Sequence, residues 1–178
     1  MAGKRKLVAE VAAPELPLED RITFLVHRIH SRIGLIGNRH FRAHDLNHYS
    51  ARILVLLLEH EELRTGELVD LMVLPQSTIS SQLQGLHAKR LVRRRRSRKD
   101  NRSVMVTLTP AGEALARDCN GLSLRVHTAL LEGVPRGQAR QGLAFLAKLH
   151  ERLQELQAEE APLVPFLGPG QLKQVGRS

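Results

Sequence analysis

The chain has 178 residues, a length that suggests one domain able to bury a hydrophobic core without staples. Its single cysteine, Cys119, rules out an intramolecular disulfide framework. The longest apolar run, Ile53 to Leu58, is too short to span a bilayer. Lys and Arg number 27 against 18 Asp and Glu, a formal net charge of +9, and the excess is focused: residues 89 to 102 hold nine basic side chains and one acid.

Residues 1–17 read as a loose leader, with a basic start and Pro14 and Pro17, and no secretory signal is visible in them. A cytoplasmic protein with no membrane partner is the expectation. From Leu18 to Phe41, Ile22, Leu25, Val26, Ile29, Ile33 and Ile36 recur at helical spacing and predict a long amphipathic helix, its end weakened by Gly34 and Gly37. His44 to Asn47 reads as a connector, with Asn47 the N-cap of a second helix through Leu58 or Glu59. That helix is apolar on nearly all sides and should form the buried centre.

Leu63-Arg64 predicts a short extended piece, after which Thr65 caps a helix ending at Met72. Val73-Leu74-Pro75 makes a tight turn into a helix from Gln76 to Lys89, whose inward stripe is Ile79, Leu83 and Leu86. Two short strands follow, Leu91–Ser97 and Ser103–Leu108, joined by a polar tip that reads as a hairpin. Thr109 caps a helix running to about Leu131, and a last helix spans Arg136 to Ala158 with Leu143, Leu146, Leu149, Leu153 and Leu156 as its stripe. Residues 161–178, with three prolines and three glycines, read as a flexible tail.

A focused basic run attracts a polyanion. The five aromatic residues, Phe24, Phe41, Tyr49, Phe145 and Phe166, all lie outside it. Single-stranded nucleic acid is bound on stacking platforms, so double-stranded DNA, which needs cations and no stacking, is the partner suggested. Helix, tight turn, helix and basic hairpin are the layout of a winged helix-turn-helix. The outward face of its second helix carries Gln76, Ser77, Thr78, Ser80, Ser81 and Gln84, polar and uncharged, as hydrogen bonding to base edges requires. The hairpin, through Arg94, Arg96, Arg98 and Lys99, would contact phosphates, and its tip, with Arg102, would enter the minor groove.

Four stretches in order carry a family resemblance: Gly66-Glu67-Leu68-Val69-Asp70-Leu71, Ser77-Thr78-Ile79-Ser80, Leu86 to Val92, and Asp100-Asn101-Arg102 followed by Val106 to Gly112. The chain resembles the MarR (multiple antibiotic resistance) regulators over about residues 46 to 115. The resemblance implies a mainly α fold with a small β-hairpin. It places a winged DNA-binding lobe at 46–109 and a helical dimerisation region, formed by the N- and C-terminal helices, at 18–45 and 110–160. It also implies a homodimeric repressor on a pseudo-palindromic operator, with Asp100 pairing Arg102 on the wing. Val73 and Arg90 occupy positions where the family often has glycine, and Ser81 one where arginine is frequent.

The resemblance further implies release by a small aromatic carboxylate. Arg28, Ser31, Arg32, His48 and Tyr49 supply candidate cationic and hydrogen-bonding groups. Metal sensing competes, because His40, His44 and His48 are spaced four apart with His27 and His30 nearby, but the connector interrupts the helix and no metal ligand is assigned. Redox sensing at Cys119 is disfavoured for want of a resolving cysteine. No phosphate loop, nucleophile elbow, metal-protease motif or framed carboxylate pair is present, so an enzyme is not expected. A non-specific architectural DNA binder is the remaining alternative, and the uncharged helix face argues against it.

Overall fold

Helix α2 (His48–His60) is the axis of the core, with Ile53, Leu54 and Leu57 wholly removed from solvent. The computed structural model describes residues 16–96 and 104–158. Before α2 come a short 3-10 turn, Leu18–Asp20, helix α1 (Ile22–Phe41) and a second turn, Arg42–His44. After it follow β1 (Glu62–Arg64), α3 (Thr65–Met72), α4 (Gln76–Ala88), β2 (Val92–Arg96), β3 (Val104–Leu108), α5 (Pro110–Leu130) and α6 (Arg136–Ala158).

The chain divides into one unit, Pro17–Leu130, and a second that contains α6. In the first, α1 packs with α2, and α5 with α2 and the sheet. The described part is a mainly helical winged helix-turn-helix with one small sheet. That sheet has three strands in the order β1-β3-β2, all antiparallel, because β1 adds itself to the expected hairpin. Val106 at its centre pairs with Leu63 on one side and Arg94 on the other.

Local chemistry explains the boundaries. Asn47 caps α2 as expected, its side chain accepting from the Ser50 N–H at 2.9 Å. Thr109 caps α5: its hydroxyl accepts from the Gly112 N–H at 3.0 Å and lies 2.7 Å from the Arg90 carbonyl, to which it donates. For α3 the expected cap shifts by one residue. Arg64 is the capping position and its N–H donates to Glu67 at 2.6 Å, while the Thr65 hydroxyl donates to the Val104 carbonyl and ties α3 to β3.

Gly34 and Gly37 do not end α1; the helix continues through both to Phe41. They form its buried face, where a Cβ at Gly37 would lie 3.3 Å from the Phe41 ring and one at Gly34 would lie 3.6 Å from the His48 ring. The apolar stripe of α1, Ile22 to Ile36, stays exposed, Leu25 by 53%. In the second unit, α6 matches its expected bounds, and Leu143, Leu146 and Leu153 of its stripe are likewise exposed.

Candidate functional site

Helix α4 owes its orientation to Ile79, Leu83 and Leu86, which are fully buried and turn the opposite face outward. On that face Gln76, Ser77, Ser81 and Gln84 are exposed and Thr78 and Ser80 half-buried, so the six residues picked out from the sequence stand together. Pro75 precedes the helix with an extended ψ of 142°, which leaves the first turn's N–H groups unobstructed. The last turn of α4 meets β2, where His87 Nδ1 lies 3.2 Å from the Val92 carbonyl oxygen. The helix and the arginine strand are thereby joined within one unit.

Along β2 only Val92 is buried; Arg93, Arg94, Arg95 and Arg96 are exposed. They are not equivalent. Arg95 donates to Glu62 of β1 at 2.6 Å, and Lys89 is ion-paired with Asp45, whose carboxyl is held below its usual range by that contact. Arg93, Arg94 and Arg96 have no ion-pair partner among the described residues. Three positive charges with no ion-pair partner among the described residues form a local field suited to an external anion. Arg98, Lys99, Asp100 and Arg102 lie outside the described residues.

A cavity of about 470 Å³ opens between α1, α2, α3 and α5. Its polar lining is His30, His48, Tyr49, Arg52, Ser123 and His127; the rest is apolar, and no Asp or Glu contributes among the described residues. His48 is central. Its backbone N–H donates to Asn38 of α1 at 2.9 Å, and its ring lies tilted against Tyr49 with centroids 3.8 Å apart and meets His30 edge-on at 5.7 Å. Both His48 ring nitrogens are buried without a hydrogen-bond partner among the described residues. Burial, reinforced by His30 and Arg52, pushes its pKa below the ordinary 6.5. Cys119 also lines the cavity, its thiol pushed up to about 11 by burial and by Asp118, which makes it a poor nucleophile.

A sequence model of the MarR family matches residues 44–103, the stretch from the connector before α2 into the wing. A transcriptional regulator of the MarR family from Silicibacter pomeroyi is 31% identical in sequence, with 83% of this chain and 97% of that one superposing at a TM-score of 0.68. The chain belongs to the MarR family. The HTH-type transcriptional regulator TtmR of Methylorubrum extorquens (strain PA1) is 28% identical over 127 residues, which cover 66% of this chain and 65% of the relative. MepR from S. aureus, in its complex with DNA, shares the fold at a TM-score of 0.70 and 18% identity, over 75% of this chain and 98% of MepR.

Against the MarR pattern, the two substituted glycine positions keep glycine's geometry. Val73 has φ 51° and Arg90 φ 56°, both in the left-handed region, which costs a residue with a Cβ. Of the expected ligand groups, His48 and Tyr49 line the cavity, whereas Arg28, Ser31 and Arg32 do not; the Arg28 guanidinium lies 5.8 Å from the Phe24 ring centroid. The cavity's cation is instead Arg52, one turn beyond His48 on α2, a spacing visible in the sequence. His127 carries no such signal, since only the packing of α5 beside α2 brings it near. No helix among the described residues is long and apolar enough to cross a membrane, and none of their His, Cys, Asp and Glu groups could hold a metal ion.

Proposed function

We propose that the chain is a homodimeric repressor that reads a two-fold symmetric site on double-stranded DNA with α4 and holds the flanking phosphates with the β2–β3 wing. One observation carries this reading: an uncharged hydrogen-bonding helix face and a strand of exposed arginines stand side by side on one unit. Glutamine and serine side chains discriminate base edges, while arginines without internal partners contribute sequence-independent affinity through counterion release. The DNA complex of MepR, a protein of the same fold, supports duplex DNA as the partner. On the wing, Asp100 would orient Arg102 toward the minor groove.

The exposed apolar stripes of α1 and α6 support pairing of two copies, which would set two α4 helices about 34 Å apart, one turn of DNA. The cavity, apolar apart from three histidines, an arginine, a tyrosine and a serine, suits a small aromatic carboxylate that releases the repressor by favouring a spacing unfit for DNA.

The test is selection from a random duplex library followed by binding of the enriched and scrambled sequences at one salt concentration. Enrichment of a two-fold symmetric sequence bound roughly 1,000-fold or more above the scramble is expected. A ratio near one would make the protein an architectural binder. Arg102→Ala should weaken binding to the selected site; unchanged affinity at moderate salt would remove the wing tip from the mechanism.

A further inference from the structure

The cavity's most unusual group is the imidazole of His48, both of whose nitrogens are buried without a partner among the described residues. No described side chain or backbone group satisfies either nitrogen, so both remain available to a hydrogen-bonding partner that enters the cavity. The surroundings define that partner's charge. His30 faces the ring from α1, Tyr49 and Arg52 from α2, and Cys119 and His127 line the same cavity from α5, whereas α3 contributes only Leu71 and Met72. The lining holds an arginine and three histidines and no Asp or Glu among the described residues, so a cation is repelled and an anion attracted.

The same surroundings set the protonation state. Without an anion, a positive His48 would be desolvated beside other positive groups and is therefore held neutral. A carboxylate within reach of the ring reverses the balance, because imidazolium offers it a charge-assisted hydrogen bond. The α1 backbone at Gly34 lies over the ring, where a Cβ would sit 3.6 Å from it, and so shields it from solvent and strengthens the coupling.

We infer that the cavity is a proton-coupled anion site, in which entry of an anionic ligand draws a proton from solvent onto His48, so that acidity and effector act on the protein as one signal. The inference rests on the effector reading above and adds its regulation. By linkage, a group whose pKa is low in the empty site and raised in the filled one tightens binding as pH falls through the filled-site value. The effect levels off below the empty-site value, and the gain approaches tenfold per pH unit between the two.

The 178-residue protein is titrated with 2-hydroxybenzoate by calorimetry between about pH 6 and about pH 8, in buffers of different ionisation enthalpy. The probe stays ionised throughout, so any proton taken up belongs to the protein. Tighter binding at the acid end, with net proton uptake, is expected; His48→Gln, which keeps a hydrogen-bonding amide but does not titrate, should bind with uptake abolished. Binding that is independent of pH and buffer overturns the proton coupling and leaves the effector reading intact. Failure to bind at any pH overturns both. Uptake that persists in His48→Gln overturns the assignment to this ring. Should that variant not fold, the His48 ring proton resonance of the wild type must titrate at higher pH with the probe than without it; an equal or lower midpoint overturns the inference.

Discussion

At Val73 the backbone turns with φ 51° and ψ 45°, a conformation in which a β-branched side chain crowds its own carbonyl. The side chain is 64% exposed, so replacing it forfeits little burial. Val73→Gly should relieve about 1–2 kcal/mol of strain while returning roughly half of that to the entropy of the unfolded chain, a net stabilisation of about 0.5–1 kcal/mol. Chemical denaturation checks this, and a lower midpoint would refute the strain. Gly112 is the converse case. A Cβ there would fall 1.9 Å from the Leu91 carbonyl oxygen, so Gly112→Ala must push α5 off the start of β2 and should cost about 3 kcal/mol in the same assay. For His48 the sign follows from its depressed pKa: the fold prefers the neutral ring, so this contribution to stability is complete above the ordinary 6.5 and is lost as pH falls from there through the folded value. Thermal midpoints should drop more on acidification in the wild type than in His48→Phe, and parallel curves would refute it. Caps such as Asn47 and Thr109 were legible because side chain and donor lie within three residues. The burial of Gly34 and Gly37 was not, since it comes from the packing of α2 and of the Phe41 ring against that face.

Among elements, under the DNA-binding reading, β2 and α4 would divide the work of binding between charge and shape. Arg95 is already committed to Glu62, whereas Arg94 and Arg96 have no ion-pair partner among the described residues. Under the DNA-binding reading, Arg94→Ala or Arg96→Ala should reduce the slope of log affinity against log salt by about one, and Arg95→Ala by clearly less. Equal slopes for all three would mean that the Glu62 pair opens on DNA. Helix α4 is also tied to the cavity wall: Ser50 of α2, flanked by His48, Tyr49, Ala51 and Arg52 of the lining, donates to Gln82 of α4 at 2.6 Å. The helices, the turn between α3 and α4 and the wing strands were legible from periodicity and turn residues. The joining of β1 to the sheet was not, because three residues carry no period and their pairing with β3 spans some forty positions of chain. The cavity was half legible for a related reason: His48, Tyr49 and Arg52 share one helix, but their neighbours arrive from others.

At the scale of the whole molecule, the decisive quantity is apolar surface with nothing over it. Ile22, Leu25, Val26, Ile29, Ile33 and Ile36 run along α1 in one unit, and Leu143, Leu146 and Leu153 along α6 in the other, all more than a third exposed. A single soluble chain rarely leaves continuous stripes of this kind in water, where each large side chain forgoes about 1.5–3 kcal/mol of burial. Under the dimer reading, pairing of two copies would cover them and would make stability depend on protein concentration, because subunits that fold together are stabilised by mass action. The thermal midpoint should therefore rise with concentration, and sedimentation should give twice the chain mass. Ile29→Glu places a charge in the middle of the α1 stripe, where burial against a second copy would strip its hydration. It should shift the protein to monomers, or to a state that folds only at high concentration, and weaken operator binding by at least tenfold without altering α4 or β2. An Ile29→Glu protein that remains dimeric with full affinity would mean that α1 faces solvent in the assembled regulator, and that the two-fold register of the recognition helices is set elsewhere.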